Sequence, residues 1–225
     1  MSLNNDAKRW DVIHEKTHKR SGGESVYAQE KEKLFPRASL IIELGGGTGE
    51  DALYFLQKGH SMVVLDISEF ALKIAQEKAQ KAGYEKQIVT KMVDFGLHQL
   101  PIKNNSVDVV YSRISLHYFD SAHTIKLFQD IYQMLKPGEK AYLTFKSPQD
   151  TAEMEYLNNT TTLFEPNVYI ENGQLRSRFT IKQLKEMLAS AGITNFEVNF
   201  YKEQLAGGEG QSVILPLNEI VFTKT

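Results

Sequence analysis

Residues 40–51 read LIIELGGGTGED, an apolar run followed by an acid and then by four glycines within five positions. The apolar run favours a buried strand, and a glycine-rich turn after a strand is typical of a nucleotide-binding loop. The dinucleotide pattern G-x-G-x-x-G would need its third glycine at position 50, where Glu50 stands before Asp51. A P-loop is also excluded, because no Lys-Ser or Lys-Thr pair follows the glycines.

The acids around this loop indicate the kind of ligand. Two carboxylates in the first turn of the following helix would repel a pyrophosphate. The loop therefore favours a nucleoside that carries positive charge rather than phosphate. Gly45 and Gly47 would let the backbone approach this ligand, and Glu43 would accept a hydrogen bond from an ammonium group, directly or through water. A tight strand-to-helix turn without a ligand is the alternative interpretation.

Strand-like and helix-like segments alternate after the loop. Apolar runs predict strands at 39–44, 61–66, 87–94, 107–114 and 139–147. Two later runs, at 195–202 and 219–224, are near enough to pair as an antiparallel hairpin. We therefore expect an α/β fold with a doubly wound, mostly parallel seven-stranded sheet of the Rossmann-like type and a C-terminal antiparallel hairpin. Ligands of such sheets bind at the carboxyl ends of the strands.

The length of 225 residues predicts a single domain. We divide it into four parts: an N-terminal helical segment or lid at 1–38, a cofactor-binding core at 39–147, an irregular substrate-side insertion at 148–178, and a C-terminal helix and hairpin at 179–225. The insertion is expected to be functional, because long irregular stretches inside compact domains usually are.

Composition limits the function classes. The chain has no cysteine, which excludes disulfides, thiolate zinc sites and cysteine nucleophiles. Its net charge of -2 argues against a nucleic-acid partner. Since no apolar run approaches the length of a membrane span and no signal-peptide pattern opens the chain, we expect a cytoplasmic protein without a membrane partner. The oligomeric state stays open.

Residues 14–18, HEKTH, satisfy the zincin pattern H-E-x-x-H. On a helix, His14 and His18 would share a face, with Glu15 as general base. However, no third ligand is marked, and Ser21 stands where the extended pattern has glycine. A charge-rich segment near the terminus also lacks the supported surroundings of a catalytic zinc. We predict no metal site here and expect a surface helix, with a contribution to the substrate pocket as the second interpretation and a zinc protease as the third.

Five stretches, in order, resemble the motifs of class I S-adenosylmethionine-dependent methyltransferases, over roughly residues 38–146. They are IELGGGTGED, VVLDIS, MVDFGLHQLP, VDVVYSRISLHYF and MLKPGEK. The resemblance implies the methyltransferase version of the Rossmann-like fold, with S-adenosylmethionine as cofactor and S-adenosylhomocysteine as product. It implies these cofactor-binding residues: Glu43, Gly45, Gly47, Gly49, Asp66, Ile67, Asp94, Phe95, Ser112 and Arg113.

Individual roles follow from the same resemblance. Asp66 would hold both ribose hydroxyls, since a carboxylate offers two acceptors to two vicinal donors. Asp94 would accept from the adenine amine, with Phe95 or Ile67 beside the ring. Ser112 and Arg113 would lie under the methionine part.

Methyl transfer from a sulfonium is an in-line displacement, in which the protein mainly supplies proximity and alignment. A general base is needed only if the acceptor must lose a proton. The candidate catalytic residue is His117, just beyond the fourth strand, with a structural role as the alternative. The substrate pocket is expected to draw on Trp10, His14, Tyr27 and Tyr156, which lie outside the core motifs.

The predicted function is transfer of a methyl group from S-adenosylmethionine to a small-molecule acceptor on O, N or S. YSRI stands where amino-methylating enzymes of nucleobases carry N/D-P-P-Y/F/W, which disfavours a nucleic-acid acceptor. A non-catalytic S-adenosylmethionine-binding regulatory or scaffold protein is the alternative, because it would share every cofactor motif.

Overall fold

The computed structural model of the chain describes residues 3–20, 22–97, 99–206 and 212–225. Its helices are α1 Leu3–Thr17, α2 Val26–Glu32, α3 Glu50–Gln57, α4 Glu69–Lys81, α5 Ser121–Met134, α6 Thr151–Thr160 and α7 Ile181–Ser190, and a 3-10 turn at His18–Arg20 follows α1. Its strands are β1 Leu40–Leu44, β2 Ser61–Asp66, β3 Ile88–Met92, β4 Val107–Arg113, β5 Leu135–Lys146, β6 Thr162–Glu165, β7 Val168–Glu171, β8 Gln174–Ser177, β9 Phe196–Ala206 and β10 Ser212–Thr223.

Seven strands form one sheet in the order β3-β2-β1-β4-β5-β10-β9. The first five are parallel to one another, and β10 runs antiparallel to both β5 and β9. The predicted α/β fold with a C-terminal antiparallel hairpin is therefore confirmed. The strand order reverses between β1 and β4, which makes their carboxyl ends the switch point where such sheets bind ligands.

Two helix starts follow the sequence signals closely. Ser68 caps α4 by accepting from the backbone N–H of Ala71. Thr180 and Gln183 form a capping box at the start of α7. Each side chain satisfies an N–H group that has no partner within its own helix, so these residues fix where the helices begin.

The core has one apolar cluster on each face of the sheet. One contains the fully buried rings of Phe128, Phe145, Phe179 and Phe222. The other contains Tyr27, Phe35, Phe55, Tyr111 and Tyr142, so that α2 and the segment after it form part of the core. The described residues include no helix that is long and apolar enough to cross a membrane.

The prediction of an irregular stretch at 148–178 is wrong. This segment holds α6 and a separate antiparallel sheet in the order β6-β7-β8. The turn between β7 and β8 is Asn172-Gly173, with φ of 49° and 78°. Two consecutive residues with positive φ make a tight hairpin turn, and Asn-Gly is the sequence pair that favours it.

The last strand is longer than predicted, since β10 begins at Ser212 rather than at residue 219. Pro216 argued against a strand in the first half of β10, because proline is excluded from the interior of a sheet. In the structure β10 pairs with β5 only from Leu217 onward, so Pro216 has β9 as its one described strand neighbour and lies at a sheet edge. Within the predicted connecting loop, 203–218, only residues 207–211 lie outside the described residues.

Candidate active site

A cavity of about 550 Å³ opens at the carboxyl ends of the parallel strands. Gly45, Asp66, Asp94 and Ile114 line it, each following or ending one of the strands β1 to β4. Three elements outside the parallel strands close the remaining sides: α1, the loop before α5 and the turn between β7 and β8. The cavity therefore lies at the switch point, as the strand pattern predicted.

The glycine loop adopts a conformation that glycine favours. Gly45 and Gly47 have φ of 69° and 52°. A Cβ atom on Gly45 would overlap the side chain of Ser115, and one on Gly47 would lie 3.1 Å from Cε1 of His14. Of the three glycines predicted to bind the cofactor, Gly45 is a wall residue, whereas Gly47 and Gly49 are not among the described wall residues.

Asp66 ends β2 on the cavity wall and is almost fully buried. Its Oδ2 accepts from the N–H of Gly47 at 2.9 Å and its Oδ1 from the N–H of Ser68 at 2.8 Å. Burial raises the pKa of Asp66, while these N–H donors and the nearby His14 oppose the rise. Each carboxylate oxygen keeps a second lone pair, so Asp66 can still accept from a pair of ribose hydroxyls.

Asp94, Phe95 and Ile67 also line the cavity, as predicted, together with Val93. Oδ1 of Asp94 accepts from the N–H of Gly96 at 2.8 Å, which fixes the carboxylate at the start of the loop after β3. A carboxylate beside apolar side chains suits an adenine ring with its amino group. Together with Asp66, this end of the cavity has the chemistry of an adenosine site.

Glu43 lies beneath the glycine loop rather than on the described cavity wall. It is 4% exposed, and its Oε2 has no hydrogen-bond partner among the described residues. Burial, and then the neighbouring Asp51, raise the pKa of Glu43 well above its usual range. A buried polar atom without a partner is costly, so this position suits a donor such as a water molecule or an ammonium group.

Ser112 and Arg113 do not reach the described wall of the cavity. Ser112 is buried and donates to the carbonyl of Leu44 at 2.9 Å. Arg113 pairs with the fully buried Glu203, Nη2 to Oε2, at 2.7 Å. The residues that do line the cavity here are Ile114 and Ser115, which sequence reasoning missed. Ile114 has φ of 55°, a rare value for a β-branched residue, and this turns the chain at the end of β4.

His117, the predicted catalytic residue, is 1% exposed and is not one of the described wall residues. Burial, and then the positive charges of Arg178 and Lys146, lower its pKa well below the usual value. Its ring lies 4.2 Å, centroid to centroid, from that of Tyr118, which does line the cavity. The structure thus places His117 behind the wall.

Of the predicted substrate-pocket residues, Trp10 and His14 line the cavity. The rings of Trp10 and Tyr118 meet edge to face at 5.2 Å. Tyr27 is instead buried in the core, and Tyr156 is 50% exposed and donates to Glu171. The wall also includes Gly173, Gln174 and Leu175, which the Asn-Gly turn signal could have identified.

The HEKTH residues do not converge on one point. His14 faces the cavity, whereas Nδ1 of His18 lies 2.9 Å from the backbone carbonyl of Glu15. Within the part of the chain that the structure describes, no group of three or more histidine, cysteine, aspartate or glutamate side chains is placed to hold a metal ion.

Comparisons with known proteins point to one family. Residues 41–138 match the family described as "Methyltransferase domain". The S-adenosyl-L-methionine-dependent Diels-Alderase iccD of Talaromyces variabilis is 33% identical over 129 residues, which are 56% of this chain and 43% of that protein. Malonyl-[acyl-carrier protein] O-methyltransferase of Pectobacterium atrosepticum is 26% identical over 121 residues, 53% of this chain and 42% of that protein. The chain spans less than half the length of either relative.

A solved structure agrees with this assignment at the level of the fold. A S-adenosylmethionine-dependent methyltransferase of Methanosarcina mazei superimposes with a TM-score of 0.68 at 20% identity, covering 85% of this chain and 95% of that one. Sequence motifs, family match and sheet topology agree: residues 41–138 of the chain form a methyltransferase domain, and its motifs resemble those of the class I S-adenosylmethionine-dependent methyltransferases.

Proposed function

We propose that this protein transfers the methyl group of S-adenosylmethionine to a small-molecule acceptor, on an oxygen, nitrogen or sulfur atom. The observation that carries the proposal is the make-up of the cavity wall. It combines the acids Asp66 and Asp94 with aromatic and apolar side chains, among them Tyr118, Phe119 and Leu175. A volume of about 550 Å³ lies within the range of small-molecule sites.

The chain's contribution to such a transfer is to bind, orient and exclude water. The cofactor supplies a methyl group that its sulfonium already activates, and in-line attack then depends on alignment. Asp66 and Asp94 would fix the adenosine part, which sets the direction of the methyl group. The aromatic and apolar side chains of the wall would keep water away from the acceptor.

The wall also carries a group that could take a proton from the acceptor. Nδ1 of His123 lies 2.9 Å from Oδ1 of Asp120, and both residues line the cavity. A carboxylate at Nδ1 fixes the ring orientation and leaves Nε2 as the proton acceptor in the neutral form. We assign His123 as general base for acceptors that must lose a proton.

A second candidate is catalysis that uses S-adenosylmethionine without transferring its methyl group. The Talaromyces variabilis relative, named a Diels-Alderase, favours this candidate. A regulatory or scaffold protein that binds the cofactor without turnover would also share the adenosine end of the cavity. Formation of S-adenosylhomocysteine separates methyl transfer from both.

The test is a screen of small-molecule pools with the purified protein and S-adenosylmethionine. Pools of phenols, carboxylic acids, amines and thiols are incubated separately, and S-adenosylhomocysteine is measured by mass spectrometry. We expect at least one pool to increase its formation over the rate without acceptor, and Asp66→Ala to abolish the increase. Calorimetric binding of S-adenosylmethionine with no such increase from any pool would contradict methyl transfer.

The absence of nucleic-acid partners stays part of this proposal, supported by the net charge of -2. The cytoplasmic location also stays a prediction, which the absence of cysteine favours and cell fractionation would test.

A further inference from the structure

Helix α1 lies against the cavity with one face. Asp6, Trp10 and His14 line the cavity and follow one another at intervals of four residues, which places them on the same side of a helix. His14 also lies close to the glycine loop, since a Cβ atom on Gly47 would be 3.1 Å from its ring. The cofactor end of the cavity therefore has a wall that comes from outside the parallel strands.

One side chain of α1 attaches the helix to the core. Oδ1 of Asp11 accepts from the hydroxyl of Ser68 at 2.6 Å and from the backbone N–H of Phe70 at 3.0 Å. The N–H of Phe70 belongs to the first turn of α4, where N–H groups have no partner within the helix and negative charge is favourable. Asp11 thus stabilises the start of α4 from 57 residues away in the chain.

The attachment point adjoins the predicted ribose site. Ser68 is fully buried, and its N–H donates to the other acid of this region, Asp66. Asp11 and Asp66 therefore both bind Ser68, one through its hydroxyl and the other through its backbone. A displacement of α1 would move His14, whose charge interaction with Asp66 opposes the rise in the pKa of that carboxyl.

We propose that Asp11 is a positioning residue for the cofactor: its hydrogen bonds to the first turn of α4 hold α1 across the cavity, so that Trp10 and His14 close the cofactor site. A second contact, from Nη1 of Arg9 to the carbonyl of Asn172 at 3.4 Å, joins α1 to the β7–β8 turn on the far side. The proposal concerns the cofactor alone and requires no methyl acceptor.

The test uses S-adenosylhomocysteine as probe and two readouts. Affinity is measured by calorimetry, and closure of α1 is followed by the fluorescence of Trp10, the single tryptophan of the chain. We expect Asp11→Ala to bind about tenfold more weakly, the effect of losing hydrogen bonds to a charged group, and to show a smaller fluorescence change at saturation. Asp11→Asn keeps an acceptor oxygen and should retain most of the affinity.

Glu15→Ala is the matched control, because Glu15 is an exposed acid on the same helix. It should bind S-adenosylhomocysteine like the unmodified protein. Circular dichroism without ligand shows whether each variant is folded at the temperature of the titration. If folded Asp11→Ala showed both the unmodified affinity and an unmodified Trp10 response, the proposed role of the Asp11 hydrogen bonds would be overturned. If the alanine variant fails to fold, a tenfold loss of affinity in folded Asp11→Asn would overturn it instead.

Discussion

Replacing Gly45 by alanine should destabilise the protein through two separate effects. The φ of 69° is a left-handed value that costs alanine about 1–2 kcal/mol. The new Cβ atom would also overlap the Cβ of Ser115 and lie 2.6 Å from its Oγ. Ser115 has little freedom to move away, because its Oγ donates to the carbonyl of Leu44 at 2.7 Å and lies 2.6 Å from Oγ of Ser112.

The two effects give a magnitude and a control. Overpacking costs about 1–3 kcal/mol, so Gly45→Ala should lower the free energy of unfolding by about 2–5 kcal/mol in total. Gly59 has φ of 90°, but no heavy atom of the described residues lies within 4 Å of a Cβ atom placed there. Gly59→Ala should therefore show the backbone effect alone, about 1–2 kcal/mol.

Urea unfolding followed by far-UV circular dichroism measures both losses. The double variant Gly45→Ala/Ser115→Gly, compared with Ser115→Gly alone, should recover the overpacking part and leave a loss like that of Gly59→Ala. Equal losses in Gly45→Ala and Gly59→Ala would refute the contact between Gly45 and Ser115 as the reason for glycine at this position.

Three further predictions concern side chains at and behind the cavity. Lowering the pH below 6.5, the usual pKa of histidine, should reduce the free energy of unfolding by about 1.4 kcal/mol per pH unit through His117. The reason is that the pKa of His117 is depressed in the folded protein, so that only the unfolded chain takes up the proton. Urea unfolding at several pH values should show this part of the slope disappearing in His117→Gln. Arg113→Ala should lower the free energy of unfolding by about 3–5 kcal/mol, since it leaves the carboxylate of Glu203 buried without its cationic partner. Calorimetry of the same variant should show unchanged affinity for S-adenosylhomocysteine. His123→Ala should slow methyl transfer to a hydroxyl acceptor by about 10²–10⁴-fold without changing that affinity, and an unchanged rate would remove it as the base.

The parallel core was predictable because its central strands β1 and β4 are buried on both faces. Segments 40–44 and 61–66 are mostly apolar, and a glycine follows the first while an acid ends the second, so their type and order follow from the sequence. Strand order then places Asp66 and Asp94 at the same sheet edge, and both line the cavity. Their roles as cofactor ligands stay predictions.

Side-chain direction at the end of a strand was not predictable in the same way. Arg113 and Ile114 are neighbours, yet the first pairs with Glu203 and the second lines the cavity. The difference depends on the positive φ of Ile114. The sequence does not signal this φ, because isoleucine disfavours that conformation. Tyr27 shows the same limit, since its position in an N-terminal helix does not reveal that it faces the core.

The choice between two histidines depends on the small sheet that sequence patterns did not reveal. His117 and His123 lie six positions apart around the start of α5, and position at the sheet edge alone favours the first. In the structure the N–H of Ser177, at the end of β8, donates to the carbonyl of His117 at 2.9 Å. The adjoining Arg178 contributes to the low pKa of the same ring. The strand pair β7–β8 thus covers His117 while its turn lines the cavity. His123, in the first turn of α5, is then the histidine of this region that lines the wall. Our choice of His123 rather than His117 as the proposed base therefore depends on the insertion at 148–178, which lies outside the parallel core.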